Sequence, residues 1–164
     1  MDLYTTISEV IERSYPLLNA IGDFTENEVD QDRWSNKEIL GHLIDSAINN
    51  RARFVRYQIN KELRFSGYVQ DKWVAMSGYK YWQWNELVQG WYVRNKELSQ
   101  IIKLIPKEVL DLQTLKHNLH QVAFKRVPEG EESSLRYFIT DYISHMEHHI
   151  KQIVPSYNRL ITKY

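Results

Sequence analysis

The sequence predicts an all-α protein, a four-helix bundle, and three observations point there. Four stretches repeat apolar side chains at three- and four-residue intervals, the period of a helix that buries one face. Residues that start and stop helices flank them: Asp2 and Gly22, Ser35 with Glu38, Pro106, and Ser133 or Ser134. The 164 residues contain no cysteine, yet suffice to bury one continuous core without a disulfide or a structural metal. Residues 1–164 therefore read as a single domain.

In the first helix, Leu3, Ile7, Val10, Ile11, Leu17, Leu18 and Ile21 form the apolar face, Asp2 caps the start and Gly22 ends it. Pro16 lies inside and removes a backbone hydrogen bond, so a kink or break is expected near Arg13. Residues 22–33 are polar and acidic and read as a connection. The second helix has the firmest start: Ser35 and Glu38 form a capping box, with Trp34 placed to staple onto Ile39. It should run to about Asn60, with Ile39, Leu40, Leu43, Ala47 and Phe54 as its apolar stripe. Beside that stripe lies a polar one: His42, Asp45, Ser46, Asn49 and Arg53.

Residues 61–83 carry Phe65, Tyr68, Trp73, Tyr79, Tyr81 and Trp82 without a sustained period, and at most a helical turn around Asp71–Met76. A connection this long reads as a cover over the bundle or as a pocket wall. The third helix keeps its spacing from Trp84 through Leu87, Val88, Trp91, Leu98, Ile101, Ile102 and Ile105 until Pro106 stops it. Residues 106–132 read as a crossover with one turn near Pro106–Leu110. Ser133 or Ser134 then caps the fourth helix, with Glu131 and Glu132 near its positive end, and the helix is expected to continue close to the C-terminus, bent at Pro155.

Lysine plus arginine equal aspartate plus glutamate at 21 each, so no net field favours nucleic acid or an anionic membrane. No apolar run approaches the ~20 residues of a membrane span, and the N-terminus lacks a basic segment followed by an apolar one. The expectation is a soluble cytoplasmic protein acting on a small molecule, with no nucleic acid and no membrane as partner. Aromatics make up 13% of residues and crowd the middle of the chain, which suggests a pocket wall or an interface.

Chemistry concentrates in Asp141–Gln152, where His145, His148 and His149 fall within five positions. His145 and His149 are one helical turn apart on one face, beside the apolar stripe of Leu135, Ile139, Tyr142, Met146, Ile150 and Ile153. His42 borders the apolar stripe of the second helix in the same way, so packing both stripes into one core brings it towards His145 and His149. Three neutral imidazoles leave a coordination position open, the arrangement of a catalytic metal site. His148 turns about 60° away from His145, and Glu147 should project to the outer face. Asp45 is placed to orient His42 or serve as a base, while Asn49 or Arg53 is placed to position an anionic substrate group. His117 and His120 read as surface or loop residues.

The run Trp34-Ser35-x-x-Glu38-Ile39-Leu40-Gly41-His42-Leu43-x-Asp45-Ser46, with Asn49 and Arg53-Phe54, followed downstream by His145-Met146-Glu147-His148-His149-x-x-Gln152, resembles the DinB/YfiT-like superfamily of metal-binding four-helix bundles. The resemblance spans nearly the whole chain. It implies up-down-down-up topology and a divalent ion, often zinc or nickel, on three histidines, which fall here at His42, His145 and His149. It also implies a metal-dependent hydrolase or, in some branches, a thiol S-transferase using bacillithiol or mycothiol, and frequent homodimers. A non-catalytic, metal-stabilised dimerising bundle is the competing class.

Overall fold

The computed structural model describes residues 2–22 and 34–161, and the expected connection at 22–33 lies almost wholly outside them. Four long helices carry the architecture: α1 (Leu3–Ile21), α2 (Asn36–Asn60), α4 (Trp84–Lys103) and α7 (Leu135–Ile153). Three short ones sit in the connections: α3 (Gln70–Ser77), α5 (Lys107–Asp111) and α6 (Leu119–Val122). No strand forms among the described residues, only isolated bridges pairing Leu63 with His117 and Thr114 with Ser133.

The start signals act as expected. Asp2 accepts from the backbone N–H of Thr5 at 3.0 Å. Ser35 and Glu38 complete their capping box, and Ser134 rather than Ser133 caps α7 by accepting from Tyr137 N–H at 3.2 Å. Trp34 packs against the core and sets its ring beside His42, with centroids 4.9 Å apart. Helix α1 runs unbroken through Pro16, so the break expected near Arg13 does not occur.

Packing joins α4 to both α1 and α2, and α7 to the same two helices. Helices α1 and α2, consecutive in sequence, thus stand across the bundle from each other. The core between them is aromatic and aliphatic, with Phe54, Tyr57, Trp84, Trp91 and Phe138 all buried. Trp84 also donates its indole N–H to the carbonyl of Leu18 at 2.7 Å.

Two expectations at the C-terminal end fail together. Helix α7 stops at Ile153, before Pro155, because the residue preceding proline is pushed out of helical conformation. The chain then folds back and buries Tyr157 and Ile161 against the face of α7 taken as solvent-facing. Glu147 is consequently 0% exposed instead of outward-pointing. Its carboxylate accepts from Tyr157 O–H (2.9 Å), Leu160 N–H (2.6 Å) and Ile161 N–H (2.9 Å).

The connection at 61–83 divides its aromatics. Tyr79 is buried against Gly41, where a Cβ would sit 2.1 Å from the tyrosine ring, so only glycine permits this approach. Trp73, Met76, Tyr81 and Trp82 are exposed. A side-chain amide ties this connection to the later crossover: Asn118 donates to Phe65 O at 2.9 Å and accepts from Phe65 N–H at 3.0 Å. Leu63 N–H donates to Lys116 O, and Asn118 N–H to Leu63 O, beside that clasp.

Candidate metal centre

Helices α2 and α7 bring His42, His145 and His149 together. One ring nitrogen from each lies within 4.8 Å of the other two. The Nε2 atoms of His42 and His145 are 3.1 Å apart. Two nitrogens at ~2.0 to 2.1 Å from one tetrahedral ion stand ~3.3 Å apart, close to that spacing. The three rings meet nearly edge to face, at 86°, 75° and 83°, so no pair stacks away the in-plane lone pairs.

The surroundings favour the neutral form that a metal requires. Burial, reinforced by neighbouring His149, pushes the His42 imidazole down to about 3. Burial brings His149 down to about 4 against an opposing hydrogen bond from Gln152, and burial also holds His145 well below its ordinary value. Gln152 Oε1 lies 2.7 Å from His149 Nδ1, which places the proton there and leaves Nε2 free as a ligand atom. The Gln152 amide nitrogen stands 3.3 Å from His148 Nε2, so one side chain bridges both histidines. Nδ1 of buried His42 has no hydrogen-bond partner among the described residues.

A cavity of about 340 Å³ adjoins the cluster. His145, His148 and His149 form one wall, and Ser46, Asn50 and Arg53 of α2 another; Gly67, Tyr68 and Gln70 close one side and Gln121–Phe124 with Arg126 the other. Tyr68 is the one aromatic of 61–83 at the cavity, while Phe124, in a stretch with no periodic signal, packs on both His145 and His148. Asp141 anchors that second wall by accepting from Phe124 N–H at 2.8 Å and Lys125 N–H at 2.7 Å. Burial nonetheless raises its carboxyl to about 6.

Of the three α2 residues expected to assist chemistry, Arg53 lines the cavity, whereas Asp45 and Asn49 do not. Each of those two precedes a lining residue, Ser46 or Asn50, and a one-residue step on a helix is a rotation of ~100°. Asp45 does not orient His42: it accepts from Tyr79 O–H at 2.6 Å, and Asn49 donates to the Asp45 carbonyl at 2.9 Å. Asn50 and Asp141 were legible from spacing, four residues after Ser46 and four before His145. Arg126 and Gln121 carried no such signal. His117 is a buried tie, its Nε2 2.6 Å from the Glu131 carbonyl, and His120 meets Glu129 at 3.0 Å.

YfiT from Bacillus subtilis, a probable metal-dependent hydrolase with an unusual four-helix bundle topology, matches this structure with a TM-score of 0.70 over 93% of this chain and 82% of its own. The chain has the YfiT fold. Identity to YfiT is 14%, so the likeness is one of fold, and the chemistry rests on the residues present here. No family model and no curated protein matches the sequence. Within this YfiT fold, no described helix is long and apolar enough to cross a membrane.

Proposed function

We propose that the chain holds a divalent metal ion, zinc or nickel, on His42, His145 and His149, and hydrolyses a small molecule bound in the adjoining cavity. One observation carries this reading: three neutral imidazoles from two helices converge beside an open cavity, with the His149 tautomer set by Gln152. The description of YfiT as a probable metal-dependent hydrolase supports the reaction class. A divalent ion supplies Lewis acidity and makes water nucleophilic near neutral pH.

The protein's own contribution is placement. Trp34 and Phe124 pack on the rings of His42 and His145 and limit their rotation. The walls from both connections enclose the substrate and thin the water around it. A closed structural site would surround its ion with protein ligands, whereas His145 and His149 face the cavity, which favours an enzyme over a metal-stabilised scaffold.

Elemental analysis of purified protein, with His42→Ala and His149→Ala beside it, tests the reading. We expect about one ion per chain in the wild type, loss of the ion in both variants with helical content kept, and ester or amide hydrolysis that chelation abolishes. Metal-free wild type that resists loading sinks the metal site, and variants that hydrolyse like wild type sink its role.

A further inference from the structure

We propose that the substrate carries an anionic oxygen group, carboxylate or phosphate, held by Arg53 and Arg126 while its reacting end faces the histidines. This rests on the hydrolase reading for the reacting end, but not for the anion site itself.

Arg53 carries the argument. Arg53 is 7% exposed and lies beside the stacked rings of Phe65 and Phe138, 5.8 and 5.9 Å from their centroids. A guanidinium so buried ordinarily has a carboxylate partner, because an uncompensated buried charge is costly. Here both partners are neutral: Asn50 Oδ1 at 3.4 Å and the Ser66 carbonyl at 3.0 Å. Those two contacts use two of its five N–H donors, leaving donors at a cavity wall.

Among the described residues, no acid forms an ion pair with Arg53. Asp141 is the acidic residue of the lining, and both its oxygens accept backbone N–H groups of the opposite wall. Arg126 adds a second cation to the same cavity, and among the described residues it has no ion pair. Two arginines around one volume, with a fork geometry that matches planar and tetrahedral oxyanions, define the missing partner as an anion. The volume of about 340 Å³ lies at the small end of ligand pockets and confines it to a small molecule.

Calorimetric titration of the metal-loaded full chain with benzoate and, separately, inorganic phosphate tests this, with the metal content of every protein measured in parallel. We expect one of the two probes to bind, and the tighter one assigns the group. Arg126→Gln should weaken it about tenfold, and Arg53→Gln or Arg53→Lys by up to about a hundredfold, with metal content unchanged. Exposed Arg126 keeps the test meaningful if the Arg53 variants fail to fold. Wild type that binds neither probe, or an Arg126→Gln protein that binds like wild type, overturns the inference. A protein without metal that still shows arginine-dependent anion binding upholds this inference and defeats the hydrolase reading.

Discussion

Two polar faces of α7 are hidden from bulk water, and they are finished differently. On the tail-facing side, Glu147 is fully buried and its carboxylate takes three hydrogen bonds from Tyr157, Leu160 and Ile161. Nearby, Arg159 donates to the Ser144 carbonyl and hydroxyl at 3.3 and 2.8 Å. On the cavity-facing side, His145 and His149 converge on His42, and Arg53 across the cavity has no ion pair among the described residues. The Glu147 carboxylate is satisfied by the chain itself and holds the fold, while the converging histidines and Arg53 face a cavity placed to receive a ligand.

Removing Glu147 should break that contrast most strongly. Glu147→Ala leaves two backbone N–H groups and the Tyr157 hydroxyl without an acceptor and releases the tail, costing about 3 to 5 kcal/mol. Urea unfolding should show the loss, with metal stoichiometry of the folded fraction unchanged. A stable variant that has lost its ion would reverse the assignment of the two faces.

The cavity side answers to a smaller change. Gln152→Ala frees the His149 ring to rotate and to exchange tautomers, and should weaken metal binding about 10- to 100-fold while leaving the urea midpoint near that of wild type. Competition against a chromophoric chelator measures it.

The smallest effect sharpens the comparison through pH. Burial raises the Asp141 carboxyl from its ordinary 3.8 to about 6, so the folded protein holds a proton that the unfolded chain has released. Its stabilising contribution is full below 3.8 and is lost as pH rises through 6. Wild type should therefore lose stability relative to Asp141→Asn between pH ~4 and ~7, and parallel pH curves would show that the two backbone hydrogen bonds outweigh burial.

Much of this was legible wherever a local rule governs the outcome. The caps at Asp2 and Ser35 set helix starts through hydrogen bonds within three residues, and the stripes of α2 and α7 carried His42, His145 and His149 to one place because both had to face one core. Glu147 was misread because a helical wheel shows where a residue points but not what later chain lies over it. The tail that covers it, 154–161, has no periodicity to announce its path. Arg126 and Phe124 were missed for the same reason, since their loop is shaped by Asp141 accepting backbone groups. Asp45 and Asn49 differ from the lining positions by one residue, finer than a stripe resolves.

The Asn118 clasp bears on how a ligand gets in. Because its amide bonds Phe65 through both N–H and carbonyl, the two connections that wall the cavity are sewn into one piece, each from a different half of the chain. Neither wall can swing out alone as a hinged flap. Hydrogen exchange at the Leu63 and Phe65 amides should then be slow and matched, with traffic passing through the gap between the walls rather than through their separation.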